Sequence, residues 1–343
     1  DPRQSGCKCD LPRMREGGLD AAFFAVFIGQ GPRTPENNEK ARKRTLKIYE
    51  AVREMSEANS EQVELAFSPE DAFRIKESGQ RAIYLGLENG YPIGNDLSLI
   101  QTYYDLGARY VTLCHNRHND ICDSSTDPKG PEHDGLSDYG RKVIQEMNRL
   151  GMIVDVSHIS NKSFYDVIEV SETPVAATHS CARALCDHPR NLDDKMLEKL
   201  ADNGGVIQIC VLSAFVKTPE PYPERASALK AFREKFDQST ALSGQDQESA
   251  LEEFKKINEK FPPELATVKD AVDHIDHAVK IAGIDHVGLG TDFDGGGGLK
   301  DCFDVSELGN ITAELINRKY TDDQIAKIWG GNFIRVFRRA QDA

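Results

Sequence analysis

Two hydrophobic patterns alternate along the chain. Short, nearly uninterrupted apolar runs occupy residues 22–28 (A-F-F-A-V-F-I), 81–87, 110–114, 153–156, 174–177, 204–210 and 286–290. Runs of this length, bounded by Gly, Pro or charged residues, are typical of parallel strands covered on both faces. Between them lie stretches with a period near that of a helix. Residues 35–59 place Leu46, Ile48, Tyr49, Val52 and Met55 on one predicted face, and 68–78, 97–106, 138–150, 161–173, 270–283 and 321–339 read the same way. Residues 10–18 read as a charged turn or short helix. This alternation, without a break in composition, predicts a single α/β domain over residues 1–343, a (β/α)8 TIM-like barrel. One irregularity is 217–269, rich in Pro, Glu, Lys and Gln. It is too long for a strand-to-helix loop and reads as a helical insertion, with helices at 226–237 and 247–259.

Several apolar runs end in a residue able to do chemistry: Glu88, His115, His158, His179 and Asp292. The segments V-D-V-S-H and A-A-T-H-S repeat one arrangement on either side of a predicted helix. A strand-helix-strand unit is a right-handed parallel crossover, so both imidazoles are aimed at the same edge of the sheet. Taken singly, a buried histidine is more often a packed core residue, Glu88 an ion-paired strand end, and Asp292 a turn or N-cap aspartate. Repetition at equivalent positions favours a site, because barrel enzymes assemble theirs from the ends of several strands. Two histidines and a carboxylate suit Zn²⁺, and a glutamate shared between two ions is a common device of binuclear hydrolytic centres. The polar stretch 116–135 has the length of a functional loop over such a site. His118, His133, His188, His274, His277 and His286 read as structural or exposed.

Composition narrows the class. A hydrophobic content of 39% supports a large core. A net charge of −14 with no basic stripe argues against a nucleic-acid or anionic-membrane surface. No apolar run approaches the 18 or so residues of a transmembrane segment. The eight cysteines include no C-x-x-C pair. Cys7 and Cys9 are too close for an easy mutual bridge; Cys181 and Cys186 allow one, but small buried thiols are the expectation. The chain opens on D-P-R-Q-S-G-C-K-C, without an initiator Met or a signal-like core, so processing or trimming is expected and the compartment is not legible.

Taken in order, D-L-P-R-M-R-E-G-G, G-L-E-N-G, Y-V-T-L-C-H-N, G-L-S-D-Y-G, V-D-V-S-H-I-S, A-A-T-H-S, H-P-R-N-L-D-D and G-L-G-T-D-F-D-G resemble the membrane dipeptidase (renal dipeptidase) family of zinc peptidases. The likeness runs from residue 10 to about 340. It implies a metal-dependent hydrolase barrel of the amidohydrolase-like superfamily, binding two Zn²⁺ per subunit. The implied substrate is a dipeptide with a free C-terminal carboxylate, with a D-residue tolerated at that end, and the implied assembly is a homodimer. By the family's pattern Glu88 would bridge the metals, and His158 and His179 would complete the second metal's shell. His115 would bind substrate and polarise the scissile carbonyl, Arg190 would hold the terminal carboxylate, and Asp292 would shuttle a proton. Without the family match, Arg190 beside Asp193 and Asp194 reads equally well as a surface arginine. Asp294 is expected to support the site through hydrogen bonds rather than as a ligand. The family's opening strand carries a His-x-Asp pair that completes the first metal site. No histidine precedes His115 here, so that pair is expected upstream of Asp1. The 217–269 insertion is also longer than the corresponding connection in mammalian members. Two other readings stay open: a different amidohydrolase reaction on the same barrel, such as lactam opening or deamination, and a metal-poor relative that binds peptides without cleaving them.

Overall fold

The computed structural model of the protein describes residues 6–236 and 244–343. Eight strands pair in parallel: β1 (Ala21–Phe27), β2 (Val63–Leu65), β3 (Arg81–Glu88), β4 (Ala108–Thr112), β5 (Ile153–Asp155), β6 (Ala176–Ser180), β7 (Val206–Cys210) and β8 (Val287–Gly290). They run in the order β1-β3-β4-β5-β6-β7-β8, with β2 beside the start of β3. Because residues of β1 and β8 line the same cavity, the sheet curls round on itself, as the predicted barrel requires. Among the described residues β1 and β8 form no ladder with each other, and a cavity of about 660 Å³ lies between them.

Register brings the chemistry to one height. Phe27 pairs with Glu88, Glu88 with Thr112, Thr112 with Asp155, and Asp155 with Ala176. His115, His158 and His179 each follow a member of this row, Thr112, Asp155 and Ala176, by three residues. Three histidines far apart in sequence therefore emerge at the same rim. At the opposite end the barrel is filled by rings: Phe23 lies 4.9 Å from Tyr84, 5.3 Å from Tyr110 and 5.2 Å from Phe333. Gly86 makes room for this layer, since a Cβ there would lie 2.0 Å from the Tyr110 ring.

Helices Pro35–Ala58, Asp71–Glu77, Ser98–Asp105, Asp138–Leu150, Asn161–Val170 and Val268–Ala282 follow the hydrophobic pattern closely. Their ends are chemically marked. Ser137 caps Asp138–Leu150 and left-handed Gly151 closes it, while Thr267 and Asp270 form a reciprocal capping box. The insertion contains helices Pro223–Lys235 and Gly244–Lys260, which meet through Phe232 and Phe254. Asp237, the predicted end of its first helix, lies outside the described residues.

Four features depart from the predicted elements. Leu46 is exposed, and Thr45 turns inward with Tyr49 and donates its hydroxyl to Ala41 O, because the helical phase runs through 41, 45, 49 and 56. The sixth strand begins at Ala176, so His179 lies within it. Pro174 has no N–H for a ladder, and the Val175 N–H goes to Asn203 Oδ1. The closing helix is divided into Asp322–Ala326, a π-helical turn Lys327–Gly331, and Asn332–Gln341. Adjacent Gly330 and Gly331 have poor helix propensity, and Asn332 Nδ2 anchors the break to Ile284 O and Val287 O. Lastly, β2 and helices Asp194–Asp202 and Gly309–Asn317 were not predicted at all. Cys181 and Cys186 are buried thiols with no bridge between them. No helix among the described residues is long and apolar enough to cross a membrane.

Candidate metal centre

The row of strand ends converges on Glu88. Its Oε1 lies 3.4 Å from His158 Nε2, 3.6 Å from His179 Nε2 and 3.8 Å from His115 Nε2. The Nε2 atoms of His158 and His179 face each other at 2.8 Å. His158 reaches this position from a left-handed backbone conformation (φ 72°), as does Asp292 (φ 53°). Such conformations cost on the order of 1–3 kcal/mol for a non-glycine residue and concentrate at functional sites.

Burial decides the charge states. Desolvation, reinforced by Arg190, pushes the His115 pKa down to about 4 and holds His158 and His179 well below the usual imidazole value. The contacts to Glu88 are therefore not ion pairs at neutral pH. Desolvation, with Asp292 and Asp155 adding to it, raises Glu88 to about 8. Among the described residues no Lys or Arg pairs with Glu88, whose carboxyl shares one small space with the two neutral imidazoles. Those three residues form a cluster whose ligand atoms all lie within 4.8 Å of one another. Two nitrogens bound to one tetrahedral zinc stand about 3.3 Å apart. The imidazoles at 2.8 Å thus need to open by only about half an ångström, so the donor set fits a zinc-type ion.

The site lies in a cavity of about 700 Å³ whose lining also includes Asn116, Arg190, Phe215, Asp292 and Phe27. Asp292 follows β8 and is nearly buried. Desolvation, partly opposed by Arg190, lifts its pKa to about 6. Gly295 permits its placement, since a Cβ there would lie 2.0 Å from Asp292 Oδ1. Arg190 is 4% exposed, donates from Nη2 to His179 O at 3.0 Å, leaves Nε without a partner, and stands 5.2 Å over the Phe215 ring. Among the described residues it forms no salt bridge. Asp294 is turned to the chain's early segment, accepting the Lys8 N–H at 2.7 Å.

The structure thus brings Glu88, His115, His158, His179, Arg190 and Asp292 around one cavity. The remaining histidines serve the scaffold: His118 Nδ1 accepts from Ser124 N, His274 Nδ1 from Ala182 N and His188 Nδ1 from Arg190 N, His133 and His286 meet backbone oxygens, and His277 pairs with the Asp194 side chain. Cys210 is an unpredicted member of the site, its Sγ 4.0 Å from Asp292 Oδ2, and burial pushes its thiol pKa well up. As the last residue of the apolar run V-I-Q-I-C it obeyed the strand-end rule that singled out the others. Phe215 carried no such signal, because it lies on the short helix Ser213–Val216.

Glu88 gives the metal-free protein a testable pH dependence. Between 4.5 and about 8 the folded state keeps a proton that the unfolded state has lost, so stability falls as pH rises through that window and levels off outside it. The contribution of Asp292 is nearly complete by pH 6.5, and the remaining tail from His115 is common to the native protein and Glu88→Gln, so the comparison between them removes it. With a chelator present, raising pH from 6.5 to 8 is therefore expected to lower the Tm of the native protein more than that of Glu88→Gln. Parallel melting curves across this range would show that Glu88 is not held protonated.

A curled parallel sheet whose strand ends gather histidines and a carboxylate in one cavity defines a barrel hydrolase of the metal-dependent class. Residues 2–343 match the family model for membrane dipeptidase, peptidase family M19, and the chain belongs to that family. It is a hydrolase of the metallodipeptidase type. Dipeptidase tcpJ of Claviceps purpurea is 33% identical over 338 residues, covering 97% of this chain and 69% of that protein. The crystal structure of the probable dipeptidase PvdM from Pseudomonas aeruginosa superposes with a TM-score of 0.84 at 34% identity, covering 98% of this chain and 89% of that one. A metallopeptidase from Rhodobacter sphaeroides, crystallised with a phosphinate mimic of the dipeptide L-Ala-D-Ala, shares the fold at 22% identity, with a TM-score of 0.78 and coverage of 97% and 90%.

Proposed function

We propose that the protein is a zinc-dependent dipeptidase that cleaves dipeptides carrying a free C-terminal carboxylate. The observation that carries this reading is Arg190, a guanidinium buried in the cavity wall with no carboxylate partner among the described residues. Burying an uncompensated cation costs several kcal/mol, so the arrangement makes physical sense when an anion completes it. A dipeptide carboxylate suits the planar fork, with the Phe215 ring backing it. A cavity of about 700 Å³ is of a size for such a ligand.

Glu88, His158 and His179 would hold the metal, with Glu88 bridging to a second ion. When bound, zinc supplies Lewis-acid polarisation of the scissile carbonyl and acidifies water. The protein's own groups do the rest. His115, neutral at physiological pH, donates an N–H toward the carbonyl oxygen as negative charge develops there. Asp292, with its pKa near 6, is ionised at pH 7 yet basic enough to take a proton from water and deliver it to the departing amine. The family likeness further supports a homodimer. Tolerance of a D-residue at the C-terminal position draws its support from the same likeness and from the L-Ala-D-Ala mimic bound by the Rhodobacter sphaeroides protein.

The test combines metal analysis with turnover. The protein is expected to bind zinc and to cleave dipeptides, and Asp292→Asn to keep its metal while kcat falls about 10²-fold or more. An unchanged rate would move the proton-transfer role to another group, Asp294 first. Dipeptide cleavage by protein stripped of metal would overturn the zinc reading.

A further inference from the structure

Asp155 ends β5 and is fully buried, yet its carboxylate touches none of the three clustered ligand residues directly. It accepts four hydrogen bonds: from Ser157 N (2.9 Å) and Thr178 N (3.0 Å) at Oδ1, and from Thr112 Oγ1 (2.6 Å) and Thr178 Oγ1 (2.7 Å) at Oδ2. Four acceptor positions are all that a carboxylate has, and two of its donors are backbone N–H groups whose direction is not negotiable. A carboxylate so used obliges Thr178 to spend its only hydroxyl proton on Oδ2. The Thr178 oxygen is then an acceptor, and the group it meets at 2.8 Å is His179 Nδ1. That nitrogen must carry the proton. In a neutral imidazole this leaves the lone pair on Nε2, the atom that faces Glu88 and His158.

We propose that Asp155 and Thr178 are positioning residues that lock His179 as its Nδ1–H tautomer, and so present the Nε2 lone pair to the metal. The proposal rests on the metal-site reading above. It also separates the two histidines. With His179 Nε2 an acceptor, the 2.8 Å contact in metal-free protein has His158 Nε2–H as donor. His158 Nδ1 is then an unprotonated nitrogen, which agrees with its being buried without a partner, since an orphaned acceptor is easier to leave than an orphaned N–H. Every proton in the row His158, His179, Thr178 thus points toward Asp155. His179 is preset for a metal, whereas His158 has to move its proton to Nδ1 before it can bind one.

The experiment compares Thr178→Val, Thr178→Ser and Thr112→Val for zinc affinity, by chelator competition, and for melting temperature without metal. Thr112→Val is the informative control. It removes an equivalent hydroxyl from the same carboxylate but leaves the His179 partner in place. The expected result is a loss of about 10- to 100-fold in zinc affinity for Thr178→Val, the usual effect of removing a group that orients a ligating histidine. Thr178→Ser should restore it to within a few fold, and Thr112→Val should change it far less. Native affinity in a folded Thr178→Val protein would overturn the proposal, as would equal losses in Thr178→Val and Thr112→Val, which mark general support of Asp155. Nitrogen-15 spectra of histidine-labelled, metal-free protein read the tautomers without any metal. They should show His179 protonated at Nδ1 in the native chain, and a mixture in Thr178→Val. An Nε2–H tautomer for native His179 would also overturn it. Should the native protein bind no zinc while His179 is Nδ1–H, the metal reading fails and the hydrogen-bond row stands.

Discussion

His179→Ala is expected to lose bound metal and dipeptide turnover together, with kcat/KM down about 10³-fold or more. The metal's transition-state stabilisation is several kcal/mol, and each 1.4 kcal/mol or so is one order of magnitude in rate. His158→Ala should behave alike, because its Nε2 shares the same small space with His179 Nε2 and Glu88 Oε1. The fold should survive both changes. The imidazoles are neutral and face a cavity, so their removal strands no charge and opens no void in the ring-filled end of the barrel. Metal content, turnover and melting temperature measured on the same preparation separate the outcomes. A variant with full turnover and no metal would dismiss the centre as catalytic, while one that fails to fold would show that the histidines are structural.

Arg190→Ala is expected to raise KM for dipeptides strongly, and much of that penalty should disappear when the substrate is a dipeptide amide. Enzyme and substrate form a double-mutant cycle in which only the guanidinium-carboxylate pairing is absent from every corner but one. A charge-assisted contact with a fully buried arginine should couple by about 2 to 5 kcal/mol. Arg190 also holds the Asp292 and Glu88 pKa values down. Removing it makes both carboxyls harder to ionise, so the cycle is best measured near pH 8, and a shift of the acid limb of the pH profile to higher pH should accompany the change in KM. Additive effects would leave the metal site intact but remove the reason to assign a carboxylate-bearing substrate, and would favour another amidohydrolase reaction on this barrel.

Much of the site was legible because strand ends are local features. A short apolar run that stops at a polar residue places that residue at the rim, which is how Glu88, His158 and Asp292 stood out and how Cys210 could have. Two kinds of residue escaped. Arg190 escaped only the reading from local pattern: in the polar stretch H-P-R-N-L-D-D it looks like a surface cation, the family likeness alone gave it a role, and the fold buries it over Phe215 and behind His179. Thr178 and Asp155 look like small polar interruptions of apolar strands. Their role depends on β5 and β6 lying side by side, so that an oxygen of one reaches a hydroxyl of the next.

What the sequence determined by itself is what short-range physics controls. The 3.6- and near-continuous apolar periods set the alternation of helix and strand, the capping residues Ser137 and Thr267 set helix starts, and the spacing from strand to histidine set which residues could face a common rim. Only the tertiary structure decided the charge states and pairings, because these depend on how much water and which groups long-range folding leaves around each atom. Glu88 near pKa 8, His115 near 4 and Asp292 near 6 are the same side chains that would titrate normally in an unfolded chain. It also decided that the Trp329-Gly330-Gly331 stretch breaks the closing helix, since Asn332 finds its two carbonyl partners only once β8 is in place.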